Sequence, residues 1–94
     1  MNNITQYSAL IELLSNAISF GINRILIRLD SQLVVLQLTN VYTIRNPTLH
    51  LMFLRVQILE RHFDFIQYQH IFINLNTLTD SLANQVLYKH LQHM

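Results

Sequence analysis

Asp30 ends the run Ile25-Leu26-Ile27-Arg28-Leu29 in a chain with only five acidic residues. A carboxylate at the carboxyl end of an apolar strand lies where α/β sheets open their ligand sites, and it suits a hard cation. Asp is also a favoured helix N-cap, and a helical pattern begins directly behind Asp30, so capping and ligation are both open for it. Asp80 has a similar double reading. Thr77-x-x-Asp80 has capping-box spacing and places acid in a first turn, while the same carboxylate could serve as a ligand. His70 closes a second apolar segment and reads by default as a loop histidine bonded to nearby backbone. His50, His62, His90 and His93 share no ligand spacing with it. His90 and His93, three apart, make either a weak chelating pair or a solvated face. Arg45, beside Asn46 and Pro47, has the charge to touch a phosphate but stands alone.

The elements that must position these residues follow from periodicity and punctuation. Leu10, Ile11, Leu14, Ala17 and Ile18 repeat at helical spacing, and Gly21 stands where a left-handed C-cap belongs, which predicts a helix over roughly 4–20. "RILIRL" is nearly continuous apolar and β-branched, the pattern of a strand covered on both faces. A short helix over 31–40 is the natural next element. Asn46-Pro47 is a helix start, with Asn as N-cap and Pro in the first turn, and Leu49, Met52, Phe53, Val56 and Leu59 give that helix its apolar stripe. "DFIQYQ" reads as a second strand and "HIFINLN" as a loop. A last helix is expected from near Thr77 along Leu82, Ala83, Val86, Leu87 and His90. The order is α-β-α-α-β-α, and two strands joined through helices imply a parallel pair. Two strands are few for four helices and this much apolar surface, so the chain reads as part of a larger α/β sheet.

Composition narrows the class. With 94 residues, 51% hydrophobic and 12% charged, the chain is one domain that should collapse. A net charge of +1, from six scattered Lys and Arg, announces no basic block for nucleic acid or an anionic membrane. Absence of cysteine excludes disulfides and thiolate metal sites. "MNNITQYS" lacks the regions of a signal peptide, and every apolar run is too short to span a bilayer. The expectation is an intracellular protein without membrane partners, nuclear or cytoplasmic being left open.

Three stretches together resemble the type 1 ribonuclease H family, especially the modules of plant genomes and retroelement polyproteins. They are "TQYSALIELLSNAISFGINRILIRLDSQLVV" at 5–35, "YTIRNPTLHLMFLRVQILERHFD" at 42–64 and "YQHIFINLNTLTDSLANQVL" at 68–87. The echoed pattern is a helix opening on an acidic residue with Tyr-x-Ala-Leu, then strand-Asp-Ser-x-x-Val. Arg-Asn-Pro with a long helix follows, then strand-His, a loop Asn, and Asp-x-Leu-Ala-Asn. The resemblance implies a ribonuclease H-like domain over 1–94, incomplete in that the family's opening β-meander is not among these residues. It also implies a site. Asp30 and Asp80 fall on metal-ligand aspartates and His70 on the family's histidine, these three being the catalytic positions, with Mg²⁺ as the implied cofactor.

Hydrolysis of a phosphodiester by two Mg²⁺ ions, roughly 3.5–4 Å apart, needs about four carboxylates to balance their charge. Here the acidic residue of the first helix falls on Gln6, and the first aspartate falls on the opening strand. Two of four carboxylates remain, so the Mg²⁺ site is expected to be weak. The implied partner is an RNA–DNA hybrid or other nucleic acid, read through phosphates and 2′-hydroxyls. Three functions follow: a ribonuclease H-like module that binds without cutting, which the damaged carboxylate set favours; an active Mg²⁺-dependent hybrid endonuclease if the opening strands are supplied; and a small interaction protein. The last would recruit a strand, or another copy, through the sheet edge left open at Ile25, Ile27 and Leu29.

Overall fold

The computed structural model describes residues 3–72 and the backbone of 86–90. Its elements are α1 (Asn3–Ser19), β1 (Arg24–Leu29), α2 (Gln32–Leu38), α3 (Pro47–Glu60), β2 (Phe65–His70) and β3 (Val86–His90).

The helix ends are set by their punctuation. Gly21 adopts φ 77°, its N–H bonds Ile18 O at 3.0 Å, and Ile22 N–H reaches back to Ala17 O at 3.0 Å. This paired closure satisfies the last carbonyls of α1 and turns the chain directly into β1. The end of α2 repeats the device with Asn40 at φ 65°, where Val41 N–H bonds Leu36 O at 2.8 Å. Asn is the non-glycine residue that best tolerates this left-handed position. Asn46 caps α3 by accepting from Leu49 N at 3.1 Å, with Pro47 in the first turn as expected.

The sheet has the order β2-β1-β3. β1 and β2 are parallel and in register from Arg24↔Phe65 to Leu29↔His70, so their carboxyl ends coincide. Asp64 N–H to Asn23 O at 2.7 Å and Ile71 N–H to Leu29 O at 2.8 Å continue the ladder at both ends. Ile25, Ile27 and Leu29 are fully buried and form one core with Tyr7, Leu10 and Leu14 of α1, Val34 of α2 and Val56 of α3. Leu49, Met52, Phe53 and Leu59 pack against it, as the α3 stripe requires.

Four expectations are corrected. Residues 86–90 form a strand rather than the end of a helix, the rest of that helix lying outside the described residues. β3 pairs antiparallel with β1, from Leu29↔Val86 to Ile25↔His90. The physical reason is the unfilled side of β1. An apolar strand paired only with β2 leaves a row of donors and acceptors unmade, and a local 3.6-residue period does not outweigh that cost. The sheet edge proposed at Ile25, Ile27 and Leu29 for strand recruitment or self-association is therefore filled by the chain itself. His90 accordingly sits in a strand, so the helical spacing assumed for His90 and His93 does not apply. β1 is also not apolar on both faces. Its second face carries Arg24 over the Phe65 ring at 5.1 Å, half-buried Leu26, and exposed Arg28 donating from Nε to Gln69 Oε1 at 3.1 Å. No helix among the described residues is long and apolar enough to cross a membrane.

A buried phenol, Tyr7, and a half-buried one, Tyr68, brace the core. Tyr7 donates to Gln37 Oε1 at 3.0 Å, and Tyr68 donates to Glu60. Burial pushes Tyr7 well above the ordinary phenol value of 10.0, and burial with the neighbouring Glu60 charge pushes Tyr68 higher still. Above pH 10 the unfolded chain releases both protons while the folded chain keeps them. Stability should then fall with rising pH, by about 1.4 kcal/mol per pH unit for each phenol. Urea midpoints between pH 8 and 11 read this directly, and Tyr68→Phe should flatten the slope by about half.

Candidate active site

Because β1 and β2 end together, Asp30 and His70 arrive at the same edge of the sheet. The residue after Asp30 fixes what that carboxylate does. Ser31, with extended backbone, caps α2 by accepting from Val34 N at 3.2 Å. Asp30 is thus not the N-cap, and its side chain is turned to another partner.

That partner is Gln6. α1 runs back along β1, which brings its first turn to the carboxyl end of the strand. Gln6 there is fully buried, and its Nε2 donates to Asp30 Oδ1 at 3.0 Å. The amide orientation follows from charge: a carboxylate only accepts, so the N–H face of the amide must meet it. Half-buried Asp30 also lies toward the positive end of the α1 dipole, which favours an anion.

His70 joins through backbone. Its Nε2 lies 3.1 Å from Asp30 O, and the ring stands edge-on to Phe72 at 4.5 Å between centroids. A carbonyl can only accept, so Nε2 is the donor in this contact. His70 therefore meets the main chain of Asp30, not its carboxylate.

The structure brings Gln6, Asp30 and His70 together. Asp80 lies outside the described residues. His50 stacks on Phe53 and His62 contacts Leu59 O, so neither joins the group, and Arg45 is exposed beside the cap of α3. Among the described residues no three His, Cys, Asp or Glu side chains form a group able to hold a metal. Sequence reasoning missed the Phe72 contact, although an aromatic residue two positions beyond a strand-end histidine was visible. It also missed a cleft of about 150 Å³ lined by Asn40, Tyr42, Thr43, Ile44, His50 and Phe53, none of which belongs to the Asp30 group. No local pattern signals a cleft formed by a loop folding onto a helix.

This arrangement agrees with comparison to known proteins. A family model described as reverse transcriptase-like matches residues 2–86. The ribonuclease HI of Halobacterium salinarum is 38% identical over 86 residues, which cover 92% of this chain and 43% of that protein. The crystal structure of RNase H1 from that archaeon superposes with a TM-score of 0.77 over 89% of this chain and 64% of its own. The N-terminal RNase H domain of a Mycobacterium tuberculosis protein does so with the same TM-score at 32% identity, again over 89% of this chain and 64% of the other. The chain belongs to the reverse transcriptase-like family of ribonuclease H-like proteins. It spans less than two thirds of the length of each of these relatives.

Proposed function

We propose that the chain is a ribonuclease H-like nucleic-acid module that engages RNA–DNA hybrids without cutting them. One observation carries this reading: the Asp30 carboxylate is held by the Gln6 amide. The family resemblance implies Mg²⁺, which favours several anionic or neutral oxygens at once. The described donor set does not fit it. It offers one carboxylate, already bonded to an N–H, and an imidazole whose Nε2 is taken by a carbonyl. On this reading the described residues carry out no hydrolytic step, and Asp30, His70 and Asp80 correspond by resemblance to the family's catalytic positions. Binding rests on family membership. With six Lys and Arg in the whole chain, it should be weak and lose strength over only a shallow salt dependence.

The test is a labelled RNA–DNA hybrid incubated with the chain in Mg²⁺ and then in Mn²⁺. No cleavage above background is expected in either metal, and Asp30→Asn should change nothing. Cleavage by the wild-type chain that disappears in Asp30→Asn would overturn the reading. Fluorescence anisotropy of the same hybrid against salt measures the binding half of the claim; no binding even at low salt would remove it.

A further inference from the structure

We infer that the Gln6–Asp30 hydrogen bond is a neutral lock that makes this end of the sheet indifferent to divalent cations. A partly buried carboxylate must be met by a hydrogen-bond donor or by a positive charge. Gln6 supplies the donor. Its amide nitrogen stands 3.0 Å from Oδ1, within the space a cation would need in order to bridge that oxygen to a side chain at position 6. An N–H pointing into this space carries partial positive charge and turns a cation away. Gln6 is fully buried, so the amide cannot swing aside into solvent without vacating a packed position. His70 meets Asp30 at the backbone carbonyl and not at the carboxylate, so it does not take part in the Oδ1 contact.

The lock depends on a single nitrogen. Gln6→Glu is nearly the same shape, yet it replaces the donor with a second carboxylate about 3 Å from the first, and like charges at that separation cannot both stay ionised without a counter-charge. A hard divalent cation with oxygen ligands supplies one. This rests on the same Gln6–Asp30 bond as the proposed function, but it is read in the stability of the chain and the state of one imidazole, neither of which involves a nucleic acid.

The experiment compares wild type, Gln6→Glu, Asp30→Asn and Gln6→Glu/Asp30→Asn by thermal unfolding, with and without millimolar Mg²⁺ or Mn²⁺. The wild-type midpoint should not move with either cation. Gln6→Glu should melt lower than wild type in the absence of cation and recover by several degrees when it is added, as a ligand binding only the folded state requires. The double variant should not respond. In parallel, Mn²⁺ should broaden the His70 imidazole signals in Gln6→Glu and leave them sharp in wild type. A wild-type midpoint that rises with cation, and loses that rise in Asp30→Asn, would overturn the inference. So would a Gln6→Glu chain that stays unfolded or unresponsive with cation present, since the cation is required to restore the pair.

Discussion

Replacing Ile27 with alanine should leave much of the chain unfolded at ordinary temperature. Ile27 is fully buried at the middle of β1, which is itself the middle strand, between Tyr68 of β2 and Tyr88 of β3 in register. The core it enters draws on α1, α2 and α3 together, so no single element can shift to fill the space. Deleting such a side chain costs about 2–5 kcal/mol, transfer and cavity combined. A domain this small is stable by only several kcal/mol in total. Urea unfolding followed by circular dichroism should show the midpoint collapse. Phe20→Ala is the control: at 82% exposed, Phe20 should be replaceable within about 0.5 kcal/mol. Equal effects at the two positions would mean that the buried face of β1 has been misassigned.

The second large effect belongs to the Tyr7–Gln37 pair. Both residues are buried, and their bond is the polar tie between α1 and α2. Gln37→Leu strands the Tyr7 hydroxyl in an apolar setting at a cost of about 1–3 kcal/mol, and Tyr7→Phe strands the amide at a similar cost. Removing both partners leaves nothing unpaired, so the double variant should cost less than the two single losses added. A coupling energy of about 0.5–3 kcal/mol is expected from the cycle. Strict additivity would show that water reaches the hydroxyl and that the interior at this point is not sealed.

The same division explains how far the sequence could be read. Gly21, Asn46 and Pro47 announced their turns because each acts on backbone within a few residues of itself. Leu10, Leu14 and Val56 announced the core because their spacing is the helix's own. The parallel pairing that carries Asp30 and His70 to one edge followed from two strands separated by helices. Ser31 displaced Asp30 as the N-cap because both residue types cap well and only the backbone angle decides between them. Residues 86–90 defeated a local reading for a different reason: what they become is decided by β1, more than fifty positions away. The Gln6–Asp30 bond was also invisible locally. The resemblance identified both positions, but which atom of an amide faces a carboxylate is a matter of geometry.

The pairing of β1 also bears on how the chain is made. Every β1 residue finds its β2 partner 41 positions further on, and Leu29 waits for Val86. During synthesis, β1 leaves the ribosome long before β2 and β3 exist, with α1 already made to cover Ile25, Ile27 and Leu29. Contacts this remote in sequence must close a long loop before they return any stability, so the sheet forms late. Until then this apolar strand lacks its β2 and β3 partners, and the nascent chain is open to wrong pairings with its neighbours on the same message. The growing protein is thus most vulnerable between the emergence of residue 30 and that of residue 70, an interval set by the order of its strands along the chain.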